Sequence, residues 1–198
     1  MSVAALVLAG GSSRRFGTAK QLVDWGGRPL LEHVVAAVLA WPVDEVWVVL
    51  GDRAEEILET VDLGGAGVVV NERHAEGIAT SLKVGLDAIA RCPRVERVFI
   101  VMGDQPAIDP EVPGALLAEA RATPRPVVVP KYRYARSNPV LVERSLWERL
   151  MSLEGDEGAR GLIEAHPEWV HEVWFDSLPP RDVDTNLDYD EMRPRRPQ

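Results

Sequence analysis

Thirteen residues, Leu8 to Lys20 (LAGGSSRRFGTAK), hold three glycines, two serines, two arginines and a lysine, directly behind the apolar run Val3-Ala4-Ala5-Leu6-Val7. Glycine lets backbone N–H groups approach a ligand closely, because no Cβ blocks the left-handed conformations that such a loop needs. Guanidinium and ammonium groups neutralise phosphate oxygens. The chain carries a formal net charge of -9, so this cationic cluster stands against its surroundings. An anionic ligand such as a nucleoside triphosphate accounts for it; a solvated Gly/Ser turn with incidental basic residues is the plainer alternative. The spacing is not that of a Walker A loop, since Gly11 and Gly17 enclose five residues and Lys20 comes three positions later. Nor is it GxGxxG, because Gly10 and Gly11 are adjacent and no ribose-binding acid is clearly placed.

Two further segments carry carboxylates behind apolar runs: Met102-Gly103-Asp104-Gln105-Pro106 and Asp182-Val183-Asp184-Thr185. An aspartate at a strand end near phosphates suits Mg²⁺, a hard cation held by one or two carboxylates plus substrate phosphates. Asp104 is the leading metal ligand and Asp184 its partner. Against this, Asp104 could be an Asx-turn residue, and Asp184 could help Thr185 cap a terminal helix starting near Asn186. The alternating acids Asp182, Asp184, Asn186 and Asp188 do not make a calcium loop, since Leu187 replaces the required glycine and Arg193 the final glutamate. No nucleophilic machinery is evident: GxSxG is absent, and His33, His74, His166 and His171 show no catalytic spacing.

The elements that must position these residues follow a strand–helix rhythm. Strands are expected at Val3–Leu8, Glu45–Leu50, Val68–Asn71, Val95–Met102 and Pro126–Pro130, and later near Pro139–Val142 and Val170–Phe175. The first five are near-continuous Val/Ile/Leu runs, as strands covered on both faces should be. Helices fit between them at Arg28–Ala40, Asp52–Thr60, Gly77–Arg91 and Glu111–Ala122. In the first of these, Pro29 takes the first turn and Leu31, Val34, Val35 and Val38 share one face. Such alternation predicts a three-layer α/β/α sandwich around a mainly parallel sheet, with ligands beyond the carboxyl ends of the strands.

Composition bounds the rest. At 198 residues and 46% hydrophobic, the chain reads as one large domain over residues 1–192, with a polar, Pro-rich, frayed tail at 193–198. The apolar stretch Val34–Val43 is too short to span a membrane and is interrupted by Pro42. The N-terminus runs straight into a strand, without a basic leader. Cys92 is the only cysteine, so no internal disulfide forms and the cytoplasm is the expected compartment. The acidic balance argues against nucleic acid as a partner; Lys131-Tyr132-Arg133-Tyr134-Ala135-Arg136 reads as a β-hairpin or acceptor-side loop. Trp41, Trp47, Trp147, Trp169 and Trp174 are expected in core or helix-edge places, and Trp25 at the site mouth or anchoring a turn.

The order G-x-S-x-R-x-G-x-x-K, with Phe16 where methionine is usual, resembles the N-terminal signature of molybdenum cofactor nucleotidyltransferases. LAGGSSRRFGTAK, GGRPLLEHV, NERHAEGIATSL, VMGDQP, SNPVL, LEGDEGAR and DVDT extend the resemblance over almost the whole chain, to the molybdenum cofactor cytidylyltransferase-like (MobA-like) family. That resemblance implies a Rossmann-like nucleotidyltransferase fold of the nucleotide-diphospho-sugar transferase type. It also implies transfer of CMP, or less favourably GMP, from the triphosphate to molybdopterin with release of pyrophosphate. By the same resemblance Arg15, Lys20 and Asp104 are catalytic, and Leu8, Ala9, Gly10, Gly11, Ser13, Arg15, Lys20, Gly77, Ser81 and Asp104 bind the nucleotide. Asp104 and Asp184 carry Mg²⁺, and Ser137, Asn138, Asp156, Gly158 and Arg160 face the acceptor. CTP or GTP and the molybdopterin cofactor are then the substrates, and a molybdenum hydroxylase or its chaperone the recipient of the product.

Two departures bear on specificity. Gly10 looks like the guanylyl branch, where the missing Cβ would admit a larger purine, whereas Asn71–Leu82 looks like the cytidylyl branch over a longer stretch. Ser137-Asn138-Pro139 stands where many members read G-H-P. A sugar-phosphate nucleotidyltransferase, or an NAD(P)H-dependent oxidoreductase or accessory factor on the same fold, are the other readings.

Overall fold

The computed structural model describes residues 1–11, 16 and 18–194. In chain order the strands are β1 (Ser2–Ala9), β2 (Glu45–Leu50), β3 (Gly67–Val70), β4 (Val95–Met102), β5 (Val127–Tyr132), β6 (Ala135–Arg136), β7 (Val140–Glu143) and β8 (Val170–Phe175). The α-helices are α1 (Leu30–Leu39), α2 (Ala54–Thr60), α3 (Ile78–Ala90), α4 (Glu111–Ala122), α5 (Trp147–Met151), α6 (Ala159–Ala165) and α7 (Asn186–Met192).

Along β1, alternate residues enter two different cores. Val3, Ala5, Val7 and Ala9 meet Leu31, Val34 and Val38 of α1 and Val112, Leu116 and Ala120 of α4. Ala4, Leu6 and Leu8 meet Leu82, Leu86 and Ile89 of α3 and Trp147 of α5. The period of two along a strand therefore produces the three layers, and the near-continuous apolar runs are explained by burial on both faces. Gly85 brings α3 directly onto the sheet, where a Cβ would lie 2.5 Å from a methyl of Leu6 and 2.9 Å from one of Val49.

Among the described residues the sheet runs β3-β2-β1-β4-β7-β5-β6, with β8 pairing β5. β1, β2, β3 and β4 are mutually parallel neighbours, β7 is antiparallel to both β4 and β5, and β8 is parallel to β5. The expected mainly parallel α/β/α architecture is what forms. Glu45–Leu50, Val95–Met102 and Val170–Phe175 coincide with expectation, and the other expected strands shift by one or two residues. Lys131–Arg136 is the β5–β6 hairpin. A terminal helix starting near Asn186 is one of the two readings of Asp184-Thr185, and α7 forms there. Helices α5 and α6 were not anticipated, each being only 5 to 7 residues long, too short for a clear periodic signal. Trp174 departs from its expected core or helix-edge place: it is 68% exposed on β8, with Lys131 Nζ 5.8 Å over its ring. Trp25 is a buried anchor, packed with Phe16, Leu30 and Val183 and lying 6.2 Å from the Tyr189 ring of α7. No helix among the described residues is long and apolar enough to cross a membrane.

Candidate active site

From β1 the chain crosses to β2 and β3 on one side, and only later returns to β4 on the other side. Connections that leave in opposite directions open a crevice at the carboxyl ends of β1 and β4, where open α/β sheets bind ligands. The two loops meet there. The Gly103 N–H donates to the Leu8 carbonyl at 2.9 Å, and a Cβ on Gly103 would come 2.9 Å from that of Ala9. Behind the glycine loop, the buried Gln21 amide donates to the carbonyls of Ala9 (2.8 Å) and Gly11 (3.2 Å). It thus ties the loop back after it has left the strand. Ser13, Arg15 and Gly17 lie outside the described residues.

Lys20 comes from the far end of this loop and lies between two carboxylates, 2.5 Å from Asp104 Oδ2 and 3.0 Å from Asp184 Oδ1. Burial alone would pull its ammonium down; the charges and hydrogen bonds of Asp104, and then of Asp184, outweigh this and hold its pKa above the ordinary lysine value. Asp184 reaches across because its segment is docked on the β4 loop. The N–H of Val183, itself fully buried, donates to the Asp104 carbonyl at 2.9 Å. Thr185 does cap α7, in a capping box with Asp188, so the cap and the approach of Asp184 to Lys20 coexist. Burial first and then the negative Asp104 push the Asp182 carboxyl up, against the hydrogen bond it receives from Gln105.

The donor set suits a hard divalent ion. Asp104 Oδ1 is buried and has no hydrogen-bond partner, an uncompensated acceptor that a cation would satisfy. Two carboxylates converge, and no group of three His, Cys, Asp or Glu poised for a metal occurs among the described residues. Such a site leaves the other coordination positions to phosphate or water, which is how Mg²⁺ is usually held.

At the other end of the crevice, the start of α3 is fastened to β3 by a side chain that sequence reasoning did not assign. Asn71 is 1% exposed. Its amide donates to the hydroxyls of Thr80 (2.8 Å) and Ser81 (2.9 Å), and its carbonyl accepts from the Arg73 N–H at 3.0 Å. Replacing Asn71 by alanine removes three hydrogen bonds at once, although the Thr80 hydroxyl keeps its bonds to the carbonyls of Arg73 and Gly77, so we expect a loss of about 2–4 kcal/mol in stability. Urea unfolding measures it; an unchanged midpoint would contradict the clamp. Gly51, also unassigned from sequence, is required by contact: a Cβ there would lie 2.4 Å from the Gly10 carbonyl oxygen and 2.7 Å from the His74 Cβ. A Cβ on Gly10 would lie 2.8 Å from Ser81 Oγ, so the space beside residue 10 is already taken by that hydroxyl.

A cavity of about 400 Å³ joins these parts, lined by Leu8 to Gly11, Lys20, Gly77, Ser81, Asp104, Asp156 and Asp184 among others. Every nucleotide-binding and metal position expected from sequence and lying within the described residues is therefore on its wall. The expected acceptor residues divide. Asp156 lines this same cavity, beside Gly77, and Gly158 precedes α6, where an added Cβ would lie 3.7 Å from Ile78 Cγ2. Ser137 and Asn138 lie off the cavity wall, before a cis Asn138–Pro139 bond, with the Asn138 amide 3.2 Å from Gln105 Oε1. Arg160 is exposed and paired with Glu164 at 2.7 Å; it does not line the cavity.

A glycine loop and a lysine facing two carboxylates, across the switch point of a Rossmann-like sheet, define a nucleotidyltransferase. Residues 5–170 match the MobA-like NTP transferase domain, and the chain belongs to that family. It is 28% identical over 196 residues to the nicotine blue oxidoreductase of Paenarthrobacter nicotinovorans, covering 92% of each chain. It is also 30% identical over 139 residues to a protein of Thermococcus sibiricus named probable molybdenum cofactor guanylyltransferase, covering 68% of this chain and 65% of that one. Among solved structures, Rv0371c of Mycobacterium tuberculosis H37Rv in complex with manganese is similar, with a TM-score of 0.85, 26% identity and 98% of both chains covered.

Proposed function

We propose that this protein transfers a nucleoside monophosphate from CTP to the molybdopterin cofactor and releases pyrophosphate. The observation that carries the proposal is the meeting of Lys20, Asp104 and Asp184 on the wall of the cavity that also holds Gly10, Gly11, Gly77 and Ser81. The glycine backbone and Ser81 would receive the nucleoside, and Lys20 the triphosphate. Asp104 and Asp184 would hold Mg²⁺, which supplies charge neutralisation on the phosphates when bound; the manganese complex of Rv0371c supports a divalent ion in this fold.

A terminal phosphate on the acceptor is already a nucleophile at neutral pH, so no serine–histidine pair is needed. Its oxygen bonds to the α-phosphorus as the bond to the bridging α–β oxygen breaks, and pyrophosphate leaves with that electron pair. Catalysis then reduces to alignment and to cationic groups facing the developing charge. Lys20, kept protonated by its two carboxylates, is placed to supply such a group. CTP is favoured as donor by the stretch Asn71–Leu82; GTP is the second reading, supported by the relative named as a guanylyltransferase, whereas the space beside Gly10 is taken by the Ser81 hydroxyl.

Thermal-shift measurements with CTP, GTP and NADPH, each with and without Mg²⁺, test the class of reaction. Stabilisation by one triphosphate that depends on Mg²⁺ is expected. Stabilisation by NADPH alone would replace the proposal with a redox role, the activity named for the Paenarthrobacter nicotinovorans relative. Pyrophosphate release on adding molybdopterin then decides the acceptor.

A further inference from the structure

The two carboxylates facing Lys20 come from segments about eighty positions apart in sequence, so something must hold those segments in register. One tie is backbone, from the Val183 N–H to the Asp104 carbonyl. The other is the side chain of Gln105, 5% exposed and next in sequence to Asp104. Its amide nitrogen donates to Asp182 Oδ1 at 2.8 Å, and its carbonyl oxygen accepts from the Asn138 amide at 3.2 Å. Three loops are thereby joined through one planar group: the loop after β4, the segment leading to α7, and the Ser137–Pro139 turn before β7. A buried amide with both ends used fixes orientation more firmly than a single bond, since rotation would break two contacts at once.

We infer that Gln105 is a positioning residue, which sets the spacing of the Asp104 and Asp184 carboxylates by clamping Asp182 and links that spacing to the Asn138 turn. Among the described residues the Gln105 side chain bonds to Asp182 and Asn138 and not to Lys20, so it acts through its neighbours. The inference rests on the proposed metal site, but concerns how that site is built rather than what reaction it serves. Groups that orient metal ligands typically change metal affinity 10–100-fold when removed.

The experiment is a Mn²⁺ titration of the full-length, metal-stripped protein, followed by electron paramagnetic resonance, with folding checked by circular dichroism. Gln105→Ala is expected to weaken Mn²⁺ binding at least about tenfold. Asp182→Asn should keep wild-type affinity, because an asparagine carbonyl accepts the Gln105 amide as the carboxylate does. Gln105→Glu should weaken binding by facing one carboxylate with another. The double variant Gln105→Glu with Asp182→Asn should recover it, since the new amide can donate to the new carboxylate. Should Gln105→Ala not fold, the Gln105→Glu and double variants decide alone.

Folded Gln105→Ala or Gln105→Glu single variants that bind Mn²⁺ like the wild type would overturn the clamp while leaving the proposed function intact. So would an Asp182→Asn loss as large as that of Asp184→Ala, which would make Asp182 a ligand in its own right. A wild-type protein that takes up no Mn²⁺, with or without CTP, would sink the clamp and the metal site together.

Discussion

Asp104→Ala is expected to lower pyrophosphate release by about 10²–10³-fold, the usual cost of deleting one charge-stabilising contact in a transfer site. Two features of the site argue for so large an effect. Asp104 contacts Lys20 more closely than Asp184 does, at 2.5 against 3.0 Å, and its second oxygen is buried with no hydrogen-bond partner. Removing Asp104 relieves one unsatisfied buried acceptor but also takes from Lys20 its nearer carboxylate, leaving Asp184 as the counter-charge, so the two effects on the fold oppose each other. The expected signature is thus a rate loss with a melting temperature within a few degrees of wild type. Pyrophosphate release under saturating triphosphate gives the first quantity and a thermal melt the second. A variant turning over at the wild-type rate rules out the assigned role, and one that unfolds at room temperature shows instead that Asp104 is a structural residue.

Gly77→Ala should strike stability and ligand binding together. The backbone at Gly77 has φ +110, where a side chain is strained, and an added Cβ would lie 2.1 Å from the Gly155 carbonyl oxygen and 2.2 Å from its carbon. These are backbone atoms of a loop held to α3 by the bond from the Ala79 N–H to Gly155, so no side-chain rotation relieves the clash. Either the first turn of α3 or the Gly155–Asp156 loop must move. We expect a loss of about 3 kcal/mol or more, which for a chain of this size is about 6–12 °C in melting temperature. Because Gly77 and Asp156 both line the cavity, triphosphate binding should weaken as well. Gly161 is the control: it lies within α6 with nothing within 4 Å of an added Cβ, so Gly161→Ala should be neutral or stabilising by up to about 1 kcal/mol. Equal melting temperatures for the two variants would contradict the close contact at Gly77.

Most of the architecture was legible before any coordinates. The runs Val3–Leu8, Glu45–Leu50 and Val95–Met102 are apolar on both alternating faces, and only a strand sandwiched between helix layers buries both. Their loops were legible as well, because glycines, a lysine and strand-end acids are costly to place at random beside a core. The antiparallel position of β7, between β4 and β5, carried no such mark. A four-residue apolar strand reads alike in either direction, and its place depends on the hairpin that precedes it. Arg160 and Asp156 show the same limit within the site. Both belong to LEGDEGAR, yet one faces solvent with Glu164 and the other lines the cavity, a difference set by where the loop meets Gly77.

From the amino-acid order alone followed the α/β class, the expectation of an anionic ligand and the pairing of Asp104 with Asp184 as candidates, because each depends on residue type and local period. Tertiary structure decided that Lys20 joins those two carboxylates, that Gln21, Asn71 and Gln105 spend their amides holding loops, and that Gly51 and Gly77 must lack side chains. Those are relations between separate elements and loops, and their energies come from close approach and paired polar groups, which exist only once the sheet has brought the loops to one rim.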